Sequence, residues 1–122
     1  MPSHLGIVMT DLSEGQVTVE FNGCKCLTTP TGFLHGGSVV SLADTAAGYG
    51  CLAHLPERAV SFTTVELKSN YLGTALEGVV QCVAKAVHLG KTTQVWDAVV
   101  SSKKSGKTLA LFRCTQIILY PN

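Results

Sequence analysis

The seventeen residues from Ser38 to His54, SVVSLADTAAGYGCLAH, place apolar side chains on nearly every side of a helical wheel and contain one charge, Asp44. A helix without a polar face has to be enclosed, and a chain of 122 residues has room for one domain, residues 1–122, in which to enclose it. The flanking sequence supplies strands. Gln16 to Phe21 alternates over a short length, and Cys24 to Gly32, with Thr28, Thr29, Pro30 and Thr31, reads as loop. After Pro56, Val60 and Phe62 share one phase while Val65, Leu67 and Tyr71 share the other, so a bulge is expected at Thr63 and Thr64. Leu76 to Leu89 and Lys91 to Ser102 flank Gly90 as a hairpin, and the turn SKKSGK leads to a last strand over Thr108 to Tyr120. The expected order is strand, buried helix, four strands. This is an α+β arrangement in which an antiparallel sheet curls around one central helix.

Composition narrows the function. Only 14% of the residues are charged, against about 25% ordinarily. A small domain has much surface for its volume, so one this poor in charge is expected to cover part of itself with further copies, as a homo-oligomer. A net charge of +1 gives no field that would draw nucleic acid or a membrane surface, and Lys103, Lys104 and Lys107 read as a solvated hairpin tip. The five cysteines are odd in number and form neither a CxxC pair nor a Cys/His spacing of the zinc type. They read as buried small residues in a reducing compartment, with no metal site. The start, MPSHLGIVMTDLSEG, lacks the regions of a signal peptide, and no stretch has the length of a membrane span, so a cytoplasmic location is expected.

Chemistry is sought where the sequence breaks its own burial pattern, and Asp44 is that place. An ionised carboxylate in an apolar helix has to be paired, hydrogen bonded, protonated or turned toward a wet cleft. The segment before it, Gly32-Phe33-Leu34-His35-Gly36-Gly37, ends in two glycines at a loop-to-helix junction. Such a junction lets another group approach the backbone closely, and the first helical turn has N–H groups without internal partners, which together make an anion or oxyanion site. The same glycines also suit a tight turn into the helix. Asp44 lies eight residues beyond Gly36, roughly 12 Å along a helix axis at 1.5 Å per residue. If the Gly36 amide holds an oxygen while Asp44 acts on the attached carbon, the two groups come from different copies of the helix, antiparallel across a dimer.

The segment HGGSVVSLADTAAGYG resembles the signature of the phenylacetate-pathway (PaaI-type) branch of hotdog-fold thioesterases, with the carboxylate nine residues after the histidine. Thr64-Val65-Glu66-Leu67-Lys68-Ser69-Asn70-Tyr71 and the Gly90-Lys91 turn fall where members of that family place a strand and a coenzyme A loop. The resemblance implies a hotdog fold and hydrolysis of an acyl-CoA thioester by a dimer or a dimer of dimers. Coenzyme A would enter as part of the substrate, and no further cofactor is implied. Carried over residue by residue, it makes Asp44 the general base or nucleophile, the Gly36 amide the oxyanion donor, His35 a packing or orienting group near the thioester, and Thr64 an aid in orienting the attacking water. Gly37, Thr29, Gly90, Lys91 and Thr92 would contact substrate or coenzyme A; on the residues alone Thr64 also reads as a satisfied strand threonine, and Lys91 and Thr92 as part of an ordinary hairpin turn with solvated charge. Thr29 stands where many members carry Asn or Gln, and a hydroxyl lacks the donor and acceptor pair of an amide. A noncatalytic acyl-CoA binder or sensor, and a hotdog hydratase or dehydratase, are the alternative readings.

Other residues have structural readings. His54 is placed to bond the last carbonyls of the helix, and His88 precedes the Gly90 turn. Neither has a Ser or Cys partner in a nucleophile setting. Ala47, Gly48 and Gly50 give the helix a thin face open to close packing. Phe33, Tyr49, Phe62 and Tyr71 are candidates to line an acyl pocket or to fill the core.

Overall fold

The computed structural model describes residues 8–23, 36–73 and 78–121. Its elements are β1 (Val8–Ser13), β2 (Gln16–Gly23), α1 (Gly36–Ala53), β3 (Ser61–Tyr71), β4 (Gly78–Leu89), β5 (Thr93–Ser102) and β6 (Thr108–Leu119). The strands form one antiparallel sheet in the order β1-β2-β4-β5-β6-β3, and α1 packs against one face of it. The expected buried helix is present, starting two residues earlier than Ser38 and ending at Ala53.

Alternation along the strands decides which side chains meet the helix. On β5, Gln94, Trp96, Ala98 and Val100 are buried, and on β6 Ala110, Phe112, Cys114, Gln116 and Ile118 are buried. Val17 and Val19 on β2 and Val80, Cys82 and Ala84 on β4 extend the same inner face, against which Leu42, Ala43, Ala46 and Ala47 of α1 are enclosed. So many small residues on both sides let helix and sheet approach closely. Gly50 shows how closely: a Cβ there would lie 2.6 Å from two ring carbons of Trp96, whereas one at Gly48 would meet Phe62 Cζ at an ordinary 3.5 Å.

The end of α1 is tied down by its last histidine. His54 Nε2 accepts the Gly15 N–H at 2.7 Å, so the ring proton sits on Nδ1 and is donated to the Gly50 carbonyl at 2.8 Å. Gln94 Nε2 donates to the His54 carbonyl at 2.8 Å, and Trp96 Nε1 donates to Gln94 Oε1 at 2.8 Å. The helix terminus, the β1–β2 turn and the buried indole thus share one network.

Two expectations about strands need correction. The sequence reading has no strand before Gln16, yet β1 pairs with β2 across the Glu14–Gly15 turn. All six residues of β1 are exposed, so it carries no inward apolar alternation and is held by its backbone ladder, with the Thr10 hydroxyl donating to the Thr18 carbonyl at 3.4 Å. The bulge in β3 lies one residue later than expected. Thr64 pairs with Gln116 and Glu66 with Thr115, which leaves Val65 as the extra residue. Counting phases assigned Val65 to the second half of the strand, when it is the residue that shifts the phase. The expected loop Cys24 to Gly32 lies outside the described residues.

Helix coverage is uneven. Contacts of α1 concentrate on β2, β4 and β5 and thin out over β6 and β3. Leu67 and Tyr71 pair with the inward-facing Cys114 and Ala110 but are 44% and 54% exposed. The inner face of the edge strand β3 is therefore an open flank beside the helix. None of the described helices is long and apolar enough to cross a membrane.

Candidate active site

Asp44 faces this flank. Its neighbours Ala43, Ala46 and Ala47 are buried against the sheet while Asp44 is exposed. Gly48, one turn further and on the same helical face, is the residue that meets Phe62 of β3. Among the described residues Asp44 makes no hydrogen bond or ion pair. One side of the carboxylate opens to solvent and the other is backed by helix and sheet, and this partial desolvation raises it above its ordinary 3.8. Burial pushes the Cys114 thiol of β6 up to about 12, and the charge of Asp44 adds to that shift. A carboxylate without a cation beside it and with raised affinity for a proton is suited to accept one.

Thr64 lies on the same flank. Phe62, Thr64 and Leu67 pair with the buried Ile118, Gln116 and Cys114, so all three point toward the helix side. The Thr64 hydroxyl donates to Gln116 Oε1 at 2.5 Å. Gly36 and Gly37 open α1, where the amides of the first turn have no intrahelical acceptor. Within one chain, then, Gly36 and Asp44 sit on one helix about 12 Å apart, and the structure does not bring them together. His35 and Thr29 lie outside the described residues, as does Phe33. Tyr49 is half-buried against the core, and Phe62 is half-buried beside Gly48.

The Gly90 turn builds a second feature. Gly90 N–H donates to the Thr93 carbonyl at 2.9 Å, and a Cβ on Gly90 would fall 2.6 Å from His88 Nε2 and 2.9 Å from the Thr93 oxygen. Only glycine fits this turn without displacing a neighbour. Lys91 and Thr92 beyond it line a cavity of about 540 Å³ with Pro56, Glu57, Arg58, Tyr120 and Pro121, and the Tyr120 hydroxyl donates to the Lys91 carbonyl. Two cations, Lys91 and Arg58, therefore face one hollow. Sequence reasoning missed Arg58, which stands at φ 75° in the connection from α1 to β3. A charged residue just after the helix-ending Pro56 was the available signal.

The three described cysteines take no part in this chemistry. Cys51, Cys82 and Cys114 are buried and free, and burial raises their thiols to about 11, 12 and 12. They are protonated at neutral pH and hence poor nucleophiles. The Lys103, Lys104 and Lys107 turn is exposed, and Lys103 is engaged with Glu20 at 3.0 Å.

Comparison with known proteins agrees with this fold. The sequence profile of the Thioesterase superfamily matches residues 31–109, which span the helix, β3, β4, β5 and the start of β6. The 1,4-dihydroxy-2-naphthoyl-CoA hydrolase of Listeria monocytogenes is 32% identical over 111 residues, covering 91% of this chain and 89% of that protein. A thioesterase family protein of Silicibacter pomeroyi superposes with a TM-score of 0.91 at 30% identity, over 98% of this chain and 89% of its own. The PaaI protein of the phenylacetic acid degradation operon of E. coli superposes with a TM-score of 0.87 at 27% identity, over 97% and 83%. With the helix-on-sheet fold and the helix from Gly36 through Asp44 already in place, the chain belongs to the thioesterase superfamily as a PaaI-type hotdog thioesterase.

Proposed function

We propose that this thioesterase hydrolyses the thioester of a small acyl-CoA to the free acid and coenzyme A, at a site shared between two copies of the chain. The observation that carries the proposal is Asp44: exposed beside the buried Leu42, Ala43, Ala46 and Ala47, unpaired among the described residues, and raised in proton affinity by its surroundings. The thioester carbonyl would lie between Asp44 of one subunit and the Gly36 amide of the other. Acting as base, the carboxylate takes a proton from water as the water oxygen bonds to the carbonyl carbon. The oxygen of the tetrahedral intermediate gathers charge against the Gly36 N–H, the carbon–sulfur bond breaks, and the departing thiolate takes up the proton. Acting as nucleophile, the carboxylate itself bonds to the carbon and expels the thiolate, and water then cleaves the anhydride. Thr64 would orient the water, His35 would sit near the thioester, and Gly37 and Thr29 would contact substrate.

Lys91, Thr92 and Gly90 would receive the phosphate-bearing portion of coenzyme A. The support for this is the cavity of about 540 Å³ in which Lys91 and Arg58 lie together, since two cations against the single carboxylate of Glu57 leave the hollow net positive, which suits a polyanionic handle. The relative that acts on 1,4-dihydroxy-2-naphthoyl-CoA favours an aromatic acyl group. The test is hydrolysis of a panel of aromatic and aliphatic acyl-CoAs by the wild type and by Asp44→Asn. Turnover is expected from the first and a loss of about 100-fold or more in the second, at an unchanged oligomeric state. An Asp44→Asn protein as active as wild type would remove the central assignment.

A further inference from the structure

We infer that Gln116 is a positioning residue for the Thr64 hydroxyl and fixes the direction in which that hydroxyl meets the attacking water. The inference rests on the hydrolytic reading of the flank given above. Gln116 is 0% exposed on an inner face otherwise made of Ala110, Phe112, Cys114 and Ile118, a setting in which a polar amide is costly unless it is bonded. In register it stands between Thr64 on β3 and Gln94 on β5, so three polar residues form one row across the sheet.

The two glutamines of this row are used differently. Gln94 is committed at both ends to structure, accepting from Trp96 Nε1 and donating to the His54 carbonyl. Gln116 donates to Cys114 Sγ at 3.5 Å, a weak acceptor, and its short hydrogen bond, 2.5 Å, comes from Thr64 on the exposed flank. The fully buried amide thus spends its carbonyl oxygen on an exposed hydroxyl of the open edge strand β3.

The chemical consequence follows from the hydroxyl's inventory of one proton and two lone pairs. With its proton given inward to Gln116, Thr64 presents only lone pairs to the flank. It can then hold a water by one O–H and leave the other O–H for the Asp44 carboxylate and an oxygen lone pair for the carbonyl carbon. Without Gln116 the hydroxyl is free to rotate and to donate to that water, which would occupy the lone pair needed for attack.

The experiment measures kcat and KM for Gln116→Leu, Thr64→Val and the double variant, with Thr64→Ser as the conservative control and Gln116→Met as a second, longer apolar replacement where the leucine variant folds poorly. Each apolar single variant is expected to lower kcat about tenfold, the rate equivalent of one lost hydrogen bond, with KM within about threefold of wild type. Thr64→Ser should keep most of the rate, and the double variant should be no slower than Thr64→Val alone. Losses that multiply in the double variant, or a Gln116 variant with wild-type kcat, would overturn the inference. So would wild-type kcat in Thr64→Val, which leaves the Asp44 proposal standing. An Asp44→Asn protein with wild-type kcat removes the hydrolytic reading, and this inference with it.

Discussion

Replacing Gly50 by alanine tests the helix–sheet packing that fixes the position of Asp44. In an exposed helix the change is stabilising by about 0.5–1 kcal/mol, because alanine loses less backbone entropy on folding. Here the new methyl would stand 2.6 Å from two carbons of the Trp96 ring and 3.0 Å from a third, well inside the ~3.5–4.0 Å of a favourable carbon–carbon contact. The ring has nowhere cheap to go: it is 0% exposed and its Nε1 is held by Gln94, which is held in turn by the His54 carbonyl. Overpacking of this kind costs about 1–3 kcal/mol, and displacing the indole from Gln94 costs about 1 kcal/mol more. Against the helix gain, a net destabilisation of about 1–3 kcal/mol is expected. Gly48→Ala, one residue pair earlier on the same helix, meets only Phe62 Cζ at 3.5 Å and should stabilise by up to about 1 kcal/mol. Urea unfolding at fixed protein concentration reads both, as midpoints moving in opposite directions at constant slope. A Gly50→Ala protein at least as stable as wild type would show that the Trp96 contact does not constrain the helix.

Asp44→Asn should lower kcat by about 10²–10⁴, the usual contribution of a positioned base. Its effect on stability has a defined sign. The folded carboxyl binds its proton more tightly than the unfolded one, so wild-type stability falls as the pH rises from about 3.8 through the raised value, and the variant, free of that loss, should be more stable than wild type above the window and equal to it below. Lys91→Ala should raise KM for acyl-CoA about tenfold with little change in kcat, more so at low ionic strength, as steady-state kinetics at two salt concentrations would reveal. Arg58→Gly and Arg58→Ala should raise KM alike, yet thermal unfolding should find the glycine variant more stable by about 1 kcal/mol, since φ 75° strains any residue with a Cβ.

The helix was the most legible part of the chain, because a run with one charge in seventeen residues can only be enclosed. Asp44 was legible for the same reason, as the one residue that violates that pattern. β1 was not, since a strand whose residues are all exposed carries no alternation for periodicity to detect. The bulge was seen but misplaced by one residue, because Val65 looks like an inward residue by hydrophobicity while the register makes it the extra one. Gln94 and Gln116 fall on inward phases of β5 and β6. A polar residue in such a position is a signal of a buried hydrogen-bond network, but which partner it meets depends on strand order, and local sequence does not encode that β3 lies beside β6. Arg58 was missed because it becomes a neighbour of Lys91 only when the end of α1 and the β4–β5 turn come to the same end of the sheet.

Strand order also accounts for where the proposed chemistry would be shared. Placing β3 at the edge, beyond β6, carries its inner face to the margin of the helix, and so Leu67 and Tyr71 remain exposed. The low charge content called for apolar surface covered by another copy, and the roughly 12 Å between Gly36 and Asp44 called for a second helix N-terminus brought in from outside. On the composite-site reading these two requirements have one solution. A copy seated along β3 would cover the exposed apolar side chains and bring its own Gly36 amide to the flank that Asp44 and Thr64 face. Two-fold symmetry would return the same arrangement on the other side, so that one contact completes two sites.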